Sequence, residues 1–284
     1  MSHGKFVRII TLGGILLATG AAGEALAADA VPAATPGIAG TIGGGYQYTD
    51  FGGIASGATA DTFFGDGAIV MPLGDSMFNA QIDGAYNNHN LAGGDPTFEI
   101  WHAGGALFYR DPSWGLLGLD GAFGGISADG DSIDTYRVGV RGEAYVGDTA
   151  TLSARAGYMN LSGFGGHIDG PYIDLGASIY VMPNFALKPE FEYMNLASGG
   201  NSADLYAAGA EAEFGLDELT GVPAALFAGG RYTDFTASGA NFNQTQGFVG
   251  IRFYFGSGNT LVDHHRGGSL YNTDTLLEHG VLPL

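Results

Sequence analysis

The sequence predicts an all-β protein: one antiparallel up-and-down β-barrel of about twelve strands that crosses a membrane. Three observations lead there. Apolar residues recur with a period of two from Ile38 onward, the spacing of a strand with two unlike faces. Composition is skewed the same way, with 51 Gly in 284 residues, about 18% against a usual ~7%. Hydrophobic residues reach 45%, yet no apolar run in the body approaches the ~20 residues that a spanning helix needs.

The elements follow in chain order. Residues 1–27 read as an export signal: Lys5 and Arg8, then the short apolar stretch Ile9 to Ala22, then the small-x-small triplet Ala25-Leu26-Ala27, with a mature start at Ala28. Residues 28–37, with Pro32 and Pro36, read as an irregular lead-in. Residues 38–256 form the barrel, with strands beginning near Ile38, Asp61, Ser76, Phe98, Gly115, Ile133, Thr149, Gly170, Phe185, Ala203, Val222 and Gln244. The alternation is plain in Leu152, Ala154, Ala156 and Tyr158 against Ser153, Arg155, Gly157 and Met159. It recurs in Val249, Ile251, Phe253 and Phe255 against Phe248, Arg252 and Tyr254. Short links at Leu73-Gly74-Asp75, Asp111-Pro112-Ser113, Val146-Gly147-Asp148 and Met182-Pro183-Asn184 alternate with expected longer polar loops around 52–60, 87–96, 128–132, 163–169, 198–202 and 237–243. Short and long connections in alternation, with an even strand count, are the hairpin pattern of a membrane barrel. A soluble β-sandwich would not require that asymmetry.

Weak repeats set the register. Tyr158-Met159-Asn160-Leu161 recurs as Tyr193-Met194-Asn195-Leu196, and Tyr48-Thr49-Asp50-Phe51 recurs as Tyr232-Thr233-Asp234-Phe235, with Tyr86-Asn87-Asn88 a looser echo. All five tyrosines fall on the apolar face at the far end of odd-numbered strands. Tyr48, Tyr86, Tyr158, Tyr193 and Tyr232 are therefore expected in one aromatic girdle, where an apolar ring meets lipid and a hydroxyl meets water.

The charged strand residues share the opposite parity, which directs them to the lumen. They are Arg137, Arg141 and Glu143, then Arg155, Asp174, Lys188, Glu190 and Glu192, then Glu211, Glu213, Arg231 and Arg252, with Asp66, Asp83 and Asp120 on the remaining wall. An Arg at mid-depth on the lipid face would cost about 2–4 kcal/mol, so the shared parity carries weight. A charged constriction for small polar or ionic solutes fits this set. So does a packed salt-bridge network that closes a narrow barrel. Surplus acid is assigned to outer loops through Asp61, Asp95, Asp129, Asp131, Asp134 and Asp169.

Several function classes are excluded. Ten Lys and Arg against 29 Asp and Glu give a net charge of −19, which repels a nucleic-acid backbone. Without Cys there is no disulfide framework, thiolate site or thiol nucleophile. Asp129-Gly130-Asp131-Ser132-Ile133-Asp134 lacks the closing Glu of a calcium loop. His167-Ile168-Asp169 is the only group that suggests hydrolase chemistry, and His102 reads as a lumen-facing polar residue. No enzyme, cofactor or metal is expected.

With these residues in place, the sequence from Ile38 to Gly256 resembles a bacterial outer-membrane β-barrel of the porin-like type. The last strand, Phe248-Val249-Gly250-Ile251-Arg252-Phe253-Tyr254-Phe255, looks like the aromatic-ended signal read by the barrel-assembly machinery. The resemblance implies a Gram-negative outer membrane, lipid and lipopolysaccharide as surroundings, and a passive channel for small hydrophilic solutes or ions. A non-conducting barrel serving envelope integrity or surface adhesion is the alternative. Chains of this type usually stop at the final aromatic residue. Here residues 257–284 follow, carrying His264-His265-Arg266, Gly267-Gly268 and Leu276-Leu277, and they are expected as a loosely docked periplasmic extension, with a partial lumen plug as the second possibility.

Overall fold

The computed structural model describes residues 37–92, 97–128, 131–163, 166–199, 201–237 and 240–270. The expected export signal and the tail beyond residue 270 lie outside them. Twelve strands form: β1 Ala39–Gly53, β2 Thr59–Pro72, β3 Phe78–Leu91, β4 Thr97–Asp111, β5 Gly115–Ala128, β6 Asp131–Val146, β7 Ala150–Gly163, β8 Gly166–Met182, β9 Phe185–Ser198, β10 Asn201–Gly215, β11 Ala224–Ala237 and β12 Ala240–Phe255. Each pairs antiparallel with its chain neighbours, and β12 pairs with β1, so the sheet closes. Closure leaves no edge strand, as a sheet surrounded by lipid requires. Two short helices join them: α1, Asp217–Thr220, between β10 and β11, and α2, Leu261–Gly267, after β12.

Period-two patterning sorts side chains across the wall. Ile42, Phe63, Ile82, Leu107, Leu117, Leu119, Val138 and Val249 stand exposed outside, each more than half accessible. In water such a belt would be an aggregation surface; lipid is the solvent it fits. Phe78, Tyr109 and Trp114 line up on the outside at the end that carries the chain termini, with ring centroids 5.4 Å and 6.4 Å apart. Tyr48, Tyr86, Tyr158, Tyr193 and Tyr232 face outward toward the other end, each five residues before its strand finishes. Three of the hydroxyls meet acids on the same face: Tyr86 donates to Glu99 at 2.9 Å, Tyr193 to Asp204 at 2.8 Å, and Tyr158 to Asp169.

The connections differ from the expected pattern. At the terminus end the links cover 73–77, 112–114, 147–149, 183–184 and 216–223. At the far end they cover five residues at most, 54–58 and 92–96, and otherwise two. Most of the expected long polar loops are strand, and Asp61, Asp131, Asp134 and Asp169 lie in strands instead of the expected loops; Asp95 and Asp129 lie outside the described residues. The reason is length. A strand of 14 residues, rising ~3.3 Å per residue and tilted about 40°, reaches about 35 Å, roughly 10 Å more than the apolar band of a membrane barrel. Beyond the band the outer face of the sheet is wet, so polar residues there, such as Asp134 and Asp169, do not distinguish strand from loop.

Candidate functional site

The lumen is the candidate site, and it is built in three levels. The middle level holds the charges. Arg137, Arg141 and Glu143 on β6, Arg155 on β7 and Asp174 on β8 all turn inward, as do Lys188, Glu190 and Glu192 on β9. Glu211 and Glu213 on β10, Arg231 on β11 and Arg252 on β12 complete the set. They sort into ion pairs. Arg155 donates to Asp174 at 3.0 Å, lies 4.0 Å from Asp120, and stacks over the Tyr172 ring at 5.4 Å. Arg231 donates to Glu190 through Nε at 2.8 Å and Nη2 at 2.6 Å. Lys188 sits between Glu211, at 3.2 Å, and Glu213, while Arg252 reaches both carboxylates at 3.3 Å. Like charges also stand opposite each other in the ladder, Arg141 with Arg155 and Asp174 with Glu192, so the compensating contacts cross between strands. His102 lies 4.0 Å from Asp83 on the same wall.

Toward the far end the lumen divides. On the β4–β10 side Ile100, Ile126, Ile133, Met159, Leu161, Met194, Leu196 and Leu205 pack together, fully buried. This interior apolar layer adds to the charged residues that parity directs inward. Its signal was present in the repeated Tyr-Met-Asn-Leu: with each Tyr outside, each Met and Leu must point in. On the β11–β3 side the wall is uncharged and polar, formed by Gln47, Thr49, Thr62, Asn87, His89, Thr233, Gln244 and Gln246, and beyond them Phe51, Ala60 and Phe242, with Leu91, Phe98 and Phe235 against them, cap it at the far end. Thr62 Oγ1 and His89 Nδ1 are 2.7 Å apart, and Gln47 donates to Thr49 at 3.3 Å. Below these residues lies a cavity of about 110 Å³, lined by Gln47, Phe64, Asp66, Asn87, Arg231 and Arg252 among others. Gly45 makes room for the Phe64 ring against the wall; a Cβ there would stand 2.6 Å from its Cζ.

The terminus end is filled by the tail, which corrects the expectation of a loose extension for residues 257–270. After β12 the chain turns at Gly256, φ 71°, and enters the mouth. A capping box starts α2, Thr260 accepting from Asp263 N–H at 3.2 Å while the Asp263 carboxylate accepts from Thr260 N–H at 3.2 Å. Leu261 packs with Tyr180, Ala186, Ala225 and Tyr254; Leu270 packs with Ala39, Val70, Ala106, Phe108 and Leu116. His264 stacks on Tyr254 at 4.2 Å and meets Asp217 at 3.1 Å; His265 meets Glu213 at 3.1 Å. Burial pushes the His265 ring down to about 4, helped by the Lys188 charge and opposed by Glu213. The two histidines are thus turned to separate partners. His167, at the opposite end, is exposed and 3.7 Å from Asp169.

Solved structures share this architecture. The COG4313 outer membrane channel from Pseudomonas putida F1 aligns over 82% of this chain and 99% of its own, with a TM-score of 0.57 at 12% identity. The chain has the fold of an outer-membrane β-barrel. The KdgM porin in complex with disordered oligogalacturonate aligns over 75% of this chain and 99% of its own, at a TM-score of 0.45 and 12% identity. The translocator domain of the autotransporter NalP from Neisseria meningitidis aligns over 87% and 96%, at 0.45 and 13%. No protein-family model matches the chain, and no curated protein matches it. The likeness is one of fold; what this outer-membrane barrel does has to be argued from its own lumen.

Proposed function

We propose that this barrel is a porin-like channel for passive diffusion of small hydrophilic solutes or ions across a Gram-negative outer membrane, with no enzymatic activity. In this reading the terminus end faces the periplasm, the far end faces lipopolysaccharide, and the barrel-assembly machinery inserts the chain through β12, which ends at Phe255. The observation that carries the reading is the polar side of the lumen: a column of amides and hydroxyls, from Gln244 and Thr49 down to Gln47 and Asn87, leads to the cavity beside Arg231 and Arg252. Stability alone does not require such an interior, because apolar packing often replaces buried ion pairs at no cost. The paired charges then set the field along the path, and Arg137 and Arg141 supply its cationic stretch on β6.

One observation favours the second reading, a non-conducting barrel for envelope integrity or adhesion: the lumen charges are almost all less than a tenth exposed. Conductance of the purified full chain in planar bilayers separates the two. The channel reading expects discrete current steps, and Arg137→Ala with Arg141→Ala should shift ion preference toward cations. Folded, inserted protein that passes no current at any voltage, with its tail displaced as well as in place, leaves only the second reading. Unchanged selectivity in the Arg variant would show that the conducting path does not run past these side chains.

A further inference from the structure

We infer that residues 257–270 are a built-in plug that closes the terminus-side mouth of the lumen and can leave it without disturbing the sheet. The inference rests on the channel reading and adds its gate. Closure of the barrel does not need the tail: β12 ends at Phe255 and is already paired on both sides, with β1 and β11. The tail joins no ladder. It is held by single contacts scattered round the mouth. Leu261 N–H donates to Pro183 O at 3.0 Å, and Leu270 N–H to Gln81 Oε1 at 2.7 Å. Arg110 donates to Gly268 O at 2.8 Å, and Arg266 to Ala150 O at 2.7 Å and Thr151 Oγ1 at 3.0 Å. Thr41 and Ser269 hydroxyls meet at 3.0 Å. These contacts reach β1, β3, β4 and β7, and His265 adds Glu213 on β10, so the segment crosses the mouth instead of lying along one wall.

Three features suit a plug that moves. Its polar contacts are scattered hydrogen bonds of a kind water can replace, none of them part of a cooperative ladder. Its aliphatic hold centres on Leu261, with Val262 beside it, and Leu270, at either end of the docked segment. Its swivel is Gly256, whose left-handed backbone only glycine adopts without strain. The segment also stands where a gate must stand, because His264, His265, Ser269 and Leu270 form one wall of the same cavity that the polar column leads into. Release would join that cavity to the space outside the mouth.

The test uses the full chain, which has no native Cys. Thr41→Cys with Ser269→Cys places two thiols where hydroxyls now touch, within reach of a disulfide. Reduced, this protein should show current steps in a planar bilayer; oxidised, its conductance should fall at least tenfold, and dithiothreitol should restore it. A second full-length variant, Leu261→Asp with Leu270→Asp, removes both apolar anchors and should raise the open fraction at least tenfold; heat-modifiable migration on gels confirms that its barrel is folded. Equal conductance of the oxidised and reduced forms, or an anchor variant that conducts like its parent, overturns the plug and leaves the channel standing. If all forms are folded and inserted yet none conducts, the channel reading itself falls and takes the plug with it.

Discussion

Replacing Glu190 by Gln should destabilise the barrel by about 2–3 kcal/mol, and replacing its partner as well should restore most of the loss. The pair is buried, with side chains 7% and 12% exposed, and Arg231 spends two N–H groups on one Glu190 oxygen. Breaking a buried pair by removing one charge typically costs about 3–5 kcal/mol, because the remaining ion is left desolvated. One effect reduces the figure here: the Gln amide oxygen can still accept a bond from the guanidinium. In the double variant Glu190→Gln with Arg231→Met no charge is stranded, so its stability should return to within about 1 kcal/mol of the parent. Urea unfolding in lipid vesicles measures this, followed by the emission of Trp101 and Trp114, both of which face outward. Single variants within 0.5 kcal/mol of the parent, or a double variant that simply sums the two losses, would refute the claim that these two charges are coupled.

Acid should loosen the tail. His265 is held neutral among Lys188, Arg252, Glu213, Tyr180 and Tyr254, with its pKa at about 4 when docked against 6.5 when free. The released form binds the proton first, so docking weakens as pH falls from 6.5 toward 4 and levels off below; the full difference is about 3 kcal/mol. Hydrogen exchange of α2, corrected for its intrinsic pH dependence, should show protection dropping across that window and a flat profile in His265→Gln; equal protection at pH 7 and 4.5 would sink the idea. Met194→Ala, at a fully buried position of the interior apolar layer, should cost about 3 kcal/mol. A loss below 1 kcal/mol in the same unfolding assay would mean that the layer is loosely filled.

Parity in the sequence carries most of the fold. Because a strand has only two faces, a single outward Tyr158 determines that Arg155 and Met159 point in, and the same logic runs through every strand. The strand number and the girdle positions follow from it. Loop lengths do not, because the outward Ser132, Asp134, His167 and Asp169 are as polar as loop residues and pair in the ladder all the same. Nor does the partner of each charge: Arg231 lies 41 residues from Glu190, and only the placing of β9 and β11 on either side of β10 brings them together.

By itself, then, the sequence determined the class of fold, the direction of each side chain through the wall and the sorting of charge to the interior. All three are consequences of a backbone period of two set against lipid on one side. The tertiary structure alone decided how the interior is divided: an aliphatic layer on one side, a polar wall capped by Phe51 and Phe242 on the other with a cavity below it, and a tail folded back across the mouth. Those features depend on which strands face each other across the lumen and on where a short helix finds Tyr180, Tyr254 and Glu213. Closure of the sheet, not local pattern, creates those neighbours.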